Sequence, residues 1–201
     1  MYLHPWDVVD EGPRKVLERV KAAGIRALNL ATSYHSGRYI LPHNPKRRTH
    51  FAEEGVVYFQ PDLNLYKSTI LKPRRSSEFK NVDVLDLLLD SAPDYNIKVN
   101  SWTVTFHNSA FAKAHPELAI RDAFDGINYN YLCPNNPHAR EYQRGLIKNL
   151  AEYNLNAIML EASCYPASLS HGDHHEMFGT QVEPLPSELM TVCFCQHCVK
   201  R

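Results

Sequence analysis

The chain has 201 residues, 44% hydrophobic and 22% charged, an ordinary composition for one soluble globular domain spanning 1–201. Lys plus Arg and Asp plus Glu number 22 each, so the formal net charge is zero, and nothing in the balance points to nucleic acid or an anionic membrane as partner. No run approaches the roughly 18 apolar residues of a membrane span, and the opening residues lack the basic and apolar regions of a signal peptide, so the expected location is cytoplasmic.

Tyr2 to His4 reads as the tail of a strand, with Pro5, Trp6 and Asp7 following at its C-terminal end. Pro13 suits the first turn of a helix, Val16, Leu17 and Val20 recur at helical spacing, and Gly24 is placed as a cap, which predicts a helix over 13–23. Ile25 to Ala31 reads as a buried strand that ends in Thr32-Ser33-Tyr34-His35-Ser36-Gly37. From Gly37 to Asn81 periodicity is weak and Pro, Asn, His and Arg are abundant. This predicts a long functional loop carrying His43 and Asn44, with a short strand at Val56 to Gln60. Its basic clusters, Lys46 to Arg48 and Lys72 to Arg75, read as solvated charges, because no aromatic ladder accompanies them.

Val82 to Ala92 places Val84, Leu85, Leu88 and Leu89 on one face and reads as a helix ended by Pro93. Ile97 to Phe106 is the next strand, running into His107, Asn108 and Ser109, and a second long loop is expected from Ala110 to Pro137. Pro137 opens a helix to Tyr153, with Tyr142, Leu146, Ile147 and Leu150 along one stripe. Leu155 to Glu161 is then a short apolar run ending in a carboxylate, the pattern of a buried parallel strand with its polar residue at the C-terminal end.

This alternation predicts an α/β fold with a parallel sheet and right-handed crossovers. Long excursions follow the strands and short returns follow the helices, the asymmetry of a (β/α)8 TIM-type barrel whose active site lies on one face. Such a barrel takes about 250 residues, so the expected architecture is its N-terminal half, about four βα units truncated at the C-terminus. The alternative is an open four-strand sheet completed by a partner chain. An exposed sheet edge predicts self-association, hence a homo-oligomer.

At the ends of the four strands stand His4, His35, His107 and Glu161, which parallel pairing would gather around one mouth. His43 and Asn44, and the run His171, His174, His175 and Glu176, are expected to close over it. If the substrate is a carbohydrate, His35, His43, His107 and Asn108 would bind its hydroxyls, and Trp6, Tyr34 and Trp102 would stack on sugar faces. Glu161 is either a salt-bridged surface carboxylate or a general acid/base, as in glycoside hydrolysis. That chemistry needs two carboxyl groups, about 5 Å apart for retention or 6.5–9.5 Å for inversion. Asp173 and Glu176 are candidate partners, as is a carboxylate beyond Arg201.

Five cysteines is an odd count, and Cys193, Cys195 and Cys198 are too closely spaced to pair as disulfides. Three thiolates at this spacing point to zinc, which takes four ligands. Cys133, Cys164 and His197 compete for the fourth place, and Cys133 is favoured because its Pro-Asn-Asn-Pro loop is rigid and remote in sequence. A closed four-thiolate site is structural. The His171 to Glu176 run is a second, weaker candidate for a metal.

The order Cys133-Pro-Asn-Asn-Pro-x-x-Arg140-Glu-Tyr, a helix, a strand ending in Glu161, and Cys-x-Cys-x-x-Cys resembles the beta-galactosidases of glycoside hydrolase family 42. That resemblance implies an acid/base Glu at the end of strand four and a structural zinc on the cysteines. The family's Asn before that Glu is replaced here by Leu160, so Glu161 corresponds by position. Over nearly the whole chain the sequence is more similar to bacterial proteins described as hypothetical glycoside hydrolases. The shared patterns fall at residues 4–7, 33–37, 41–45, 102–109 and 193–198. The expected activity is therefore hydrolysis of a carbohydrate. The rival readings are a metal-dependent hydrolase with strand-end His and Glu ligands, and a non-catalytic carbohydrate-binding or assembly module.

Overall fold

A computed structural model describes residues 1–166 and 184–200. The chain opens with β1 (Tyr2–Leu3), α1 (Pro5–Glu11) and α2 (Pro13–Ala22), followed by β2 (Ala27–Tyr34). A hairpin of β3 (Gly37–Ile40) and β4 (Thr49–Ala52), the short β5 (Val56–Val57) and a 3-10 turn at Leu63–Tyr66 lead to α3 (Val84–Ser91). Next come β6 (Lys98–Val104), α4 (Ser109–Ala114), a hairpin of β7 (Ala119–Arg121) and β8 (Ile127–Leu132), and α5 (Pro137–Leu150). Then come β9 (Ala157–Glu161), α6 (Pro184–Thr191) and α7 (Gln196–Val199).

Local chemistry accounts for the helices. Pro13 and Pro137 sit in first turns, where a missing N–H costs nothing. Asp83 caps α3 by accepting from the Leu85 and Asp86 amides at 3.1 Å each, and Asn136 caps α5 by accepting from the His138 amide at 2.9 Å. The other oxygen of Asp83 accepts from the Gln60 amide and the Tyr153 hydroxyl, at 2.6 and 2.7 Å, so the cap also joins three segments of the chain.

The sheet runs β1-β2-β6-β9, all pairs parallel and in sequence order, with β5 added antiparallel to β2. Period-two alternation divides its faces. Leu28, Leu30, Val99, Ser101 and Thr103 are buried on the side that packs against α2, α3 and α5, whose Leu17, Leu88 and Leu146 belong to the same core. The opposite face carries Asn29 and Asn100, and across it Asn100 donates to Asn29, and Asn156 to Asn100, at 2.8 Å each. Polar groups on this face thus satisfy one another. The sheet is open at both edges among the described residues, and what is shown is a mixed α/β fold built on a parallel sheet.

Two differences from the sequence reading have physical causes. The stretch after β1 is helical at once: Pro5 opens α1, Trp6 and Val8 are fully buried, and the His4 amide donates to Asp7 at 3.0 Å. The two long loops also contain hairpins, β3–β4 and β7–β8. Their strands are three to six residues long and too short to show against a polar background. No helix among the described residues is long and apolar enough to cross a membrane.

The first hairpin is fastened by a buried carboxylate. Asp10 accepts from Asn44 Nδ2 at 2.9 Å and pairs with Arg47 at 2.8 Å and Lys46 at 3.3 Å, while Arg47 also pairs with Glu78. Burial pushes the Asp10 carboxyl up, but the hydrogen bonds from Asn44 and Arg47 outweigh it, and the group lies below the ordinary carboxylate range. A depressed folded-state value stabilises the fold above the unfolded value of about 4 and loses that contribution as pH falls further. Replacing Asp10 with Ala removes the buried acceptor of Asn44 and Arg47, while Arg47 keeps Glu78, and is expected to cost about 2 kcal/mol in urea denaturation. The difference between wild type and variant should be constant at neutral pH and shrink only below about pH 4.

Candidate functional site

Parallel pairing brings the C-terminal ends of the strands to one rim. There His4 packs its ring on Tyr34 at 5.2 Å, Tyr39 at 4.7 Å and Trp102 at 5.4 Å, and Tyr34 meets Trp102 edge to face at 4.7 Å. The row continues through His35, stacked on Tyr34 at 4.4 Å, to His107 at 4.6 Å and on to Tyr131 at 4.7 Å. Behind it, Trp6 stacks on His4 at 4.4 Å and meets His50 at 4.3 Å. Glu161 completes the rim, with its Oε2 accepting from the Trp102 indole N–H.

The strand end that carries Glu161 is held firmly. The Thr105 amide donates to the Glu161 carbonyl at 2.9 Å, and its hydroxyl reaches the carbonyls of Glu161 and Ala162 at 2.8 and 2.7 Å. Ala162 adopts a left-handed φ of 51°, a conformation an L-residue keeps only where its surroundings enforce it. The strain falls directly after the candidate catalytic carboxylate.

Burial, reinforced by the neighbouring His35 and His50, lowers the His4 pKa to about 4, so the ring is neutral at neutral pH. Burial raises the Tyr34 hydroxyl well above its usual range, and Tyr39 and Glu161 push it further up.

The expected residues fall in four places. Trp102, His4 and Glu161 are partly exposed at the rim, and Tyr34, His35 and His107 are buried beside them. Trp6 was expected to stack on a sugar, but it is fully buried behind His4 and supports that ring instead. Asn108 caps α4 by accepting from the Phe111 amide at 3.0 Å and lies over Gly55, where a Cβ would come within 2.3 Å of its Oδ1, so it too is structural. His43 and Asn44 lie away from the rim, lining a cavity of about 500 Å³ beside β1 on the helix-covered side. His171, His174, His175, Glu176 and Asp173 fall outside the described residues.

Sequence reasoning missed Tyr39, His50, Glu54 and Tyr131. Tyr39 and His50 are directly paired across the β3–β4 hairpin, whose alternating Gly-Arg-Tyr-Ile and Thr-His-Phe-Ala runs were the available signal. Glu54 joins the two turns that follow β2 and β6. It accepts from the Ser36 amide and hydroxyl at 2.9 and 2.7 Å and from the Ser109 amide at 3.0 Å. Burial raises its pKa, yet these bonds bring it below the ordinary range.

The second cluster is sulfur. The Sγ atoms of Cys133, Cys193, Cys195 and Cys198 all lie within 4.8 Å of one another, three of the four residues being buried, while Cys164 is exposed and separate. Sγ separations of 3.4, 3.6 and 3.8 Å approach the edge of about 3.8 Å that four thiolates form around a metal bonded at about 2.3 Å. N–H donors face the sulfurs: the Arg121 amide reaches Cys193, and Asn135 Nδ2 reaches Cys198, both at 3.4 Å. A hydrogen bond from Cys133 and backbone donors hold the Cys193 thiol below its usual range. The residues fit a metal ion. Ala162 and Tyr165 pack against this cluster, which therefore sits directly behind the Glu161 strand end.

No protein-family model and no curated protein matches the chain. Among solved structures, the chain is similar to a hypothetical protein from Ruminiclostridium thermocellum, with TM-score 0.57 and 20% identity over 80% of this chain and 75% of that one. It is also similar to alpha-L-fucosidase isoenzyme 2 from Paenibacillus thiaminolyticus, with TM-score 0.56 and 14% identity over 94% of this chain but 22% of the enzyme. At these identities the likeness is one of fold.

Glu54→Ala leaves the Ser36 and Ser109 amides without their charged acceptor, and should destabilise the protein by about 3 kcal/mol in urea. Because it removes the tie between the two turns, it should also shift the ring resonances of both His35 and His107. Unchanged resonances would contradict that positioning role.

Proposed function

We propose that the chain is a half-barrel domain of glycoside hydrolase type, with Glu161 as general acid/base acting on a carbohydrate. The carrying observation is the position of Glu161: at the C-terminal end of the last parallel strand, on an aromatic rim, with its carboxylate oriented by the Trp102 N–H. The sequential order of the parallel strands supports the barrel reading, since a doubly wound sheet reverses its order. The fold likeness to an alpha-L-fucosidase supports a glycosidase and makes an α-L-fucoside the first substrate to try.

In this reading Trp102, Tyr39 and the neutral His4 offer ring faces and polar edges to a sugar, an uncharged surface suited to an uncharged ligand. Glu161 in its acid form gives a proton to the glycosidic oxygen as the bond breaks, and as carboxylate it takes one from the attacking water. The chemistry needs a second carboxylate across the scissile bond. Glu54 does not suit that role, because both its oxygens are engaged in holding turns.

The cysteines in this reading hold zinc. With four thiolate ligands there is no open position for water, so the ion would brace the Glu161 strand end rather than take part in the reaction.

Hydrolysis should be measured on a panel of nitrophenyl glycosides beginning with the α-L-fucoside. Glu161→Gln, with an unchanged circular dichroism spectrum, should lower kcat by roughly a hundredfold or more. An active enzyme indifferent to this substitution would refute the assignment. Elemental analysis should find about one zinc per chain, lost in Cys193→Ser, and strong chelation should lower the Tm. A metal-free protein of unchanged Tm would refute the zinc.

A further inference from the structure

We propose that the cysteine cluster is an oxidant-sensitive switch on the Glu161 strand end, in which a disulfide between Cys133 and Cys198 releases the metal and loosens the rim. Loss of hydrolysis on oxidation rests on the glycosidase reading of that rim, whereas the chemistry at sulfur does not.

The sulfurs are placed for it. The Sγ atoms of Cys133 and Cys198 stand 3.4 Å apart, closer than Cys133 and Cys195 at 3.6 Å or Cys195 and Cys198 at 3.8 Å. Cys133, Cys193 and Cys195 are buried, whereas Cys198 is partly exposed and offers its sulfur to a small oxidant. Metal coordination holds cysteine as thiolate, its reactive form. Hydrogen peroxide oxidises the Cys198 thiolate to a sulfenic acid, the O–O bond breaking with loss of hydroxide. The Cys133 thiolate then attacks that sulfur, the S–O bond breaks, and a second hydroxide leaves. Two protons from solvent turn the hydroxides into water, so two thiolates give up the two electrons that one peroxide takes up. A metal left with two of its four thiolates dissociates.

The cluster is joined to the rim in two places. Ala162, directly after Glu161 and held at a left-handed φ of 51°, packs against both the main core and the sulfur cluster. Tyr165, three residues on, packs on the same cluster, and its hydroxyl lies 3.3 Å from Cys198 Sγ. Tyr131 belongs to the cluster and stacks on His107 at 4.7 Å. A left-handed alanine persists only where its surroundings hold it. Moving Cys198 into a disulfide therefore relaxes the turn that aims Glu161 and weakens the hydrogen bond from the Trp102 indole N–H to its carboxylate.

The full chain, loaded with zinc, should be titrated with hydrogen peroxide while zinc release, disulfide content by peptide mass and the indole N–H resonance of Trp102 are followed. About one zinc should leave for each Cys133–Cys198 disulfide formed, with the Trp102 resonance shifting in step. A thiol reductant with added zinc should restore both. Cys198→His keeps a fourth zinc ligand but cannot form this bridge, and should hold its zinc and its Trp102 resonance under the same oxidant. Cys164→Ser, at the exposed cysteine outside the cluster, should respond as wild type. A chain that holds no zinc overturns the proposal. So do zinc retained through oxidation, release from Cys198→His at the wild-type rate, and a disulfide that leaves the Trp102 resonance in place. Hydrolysis, where present, should fall roughly a hundredfold on oxidation, the scale of a misplaced catalytic group. Zinc release and a shifted resonance in a chain without glycosidase activity leave the switch standing and remove the role of Glu161, and an active enzyme indifferent to the disulfide does the reverse.

Discussion

Parallel pairing of β2 with β6 and of β6 with β9 sets Ala31 beside Trp102, Trp102 beside Met159 and Val104 beside Glu161. From that register the rest of the rim follows. A slip of one residue would turn Trp102 and Glu161 to the helix side and send Leu30 and Val99 to the open face, so burial of the apolar side fixes where the polar side points. The ladder of Asn29, Asn100 and Asn156 reinforces this choice, because each asparagine finds its partner only in the observed alignment.

The loops then complete what the strands begin. Glu54 draws the turns after β2 and β6 together, the β3–β4 hairpin delivers Tyr39 and His50 to the aromatic cluster, and Asp10 fastens the foot of that hairpin to α1. The cysteine cluster performs the same service on the other flank. Tyr131 stacks on His107 and belongs with Cys133, Cys193 and Cys195 to one buried cluster, so an ion there would couple the C-terminal segment to the rim. Stacked rings such as His35 on His107 turn their faces, not their nitrogens, toward each other.

Much of this was legible in the sequence because it depends on local pattern. Pro13, Pro137 and the spacing of Val16, Leu17, Val20, Tyr142 and Leu146 marked the helices, and the apolar runs before His35, His107 and Glu161 marked the strands, with boundaries shifted by one to three residues. The nearness of Cys133 to the later cysteines was readable from ligand arithmetic. Contacts made across long separations were not readable: nothing near Glu54 announces that it binds amides at Ser36 and Ser109, and nothing near Trp6 announces that His4 lies between it and the rim. Histidine next to Asn or Pro looked like ligand chemistry at His43, whereas Asn44 beside it accepts from the Lys46 and Arg47 amides and shapes a turn.

Under the proposed function, the rim around Glu161 is a sugar site braced by a separate metal centre. The most direct measurement is a crystal structure of the protein soaked with a fucose-like iminosugar, with data collected at the zinc absorption edge. The account predicts the sugar ring against Trp102 and Tyr39, a hydrogen bond from its ring nitrogen to Glu161, and anomalous signal confined to the four cysteines. An ion held by His4, His35 or His107 together with Glu161, and no sugar at the rim, would contradict it.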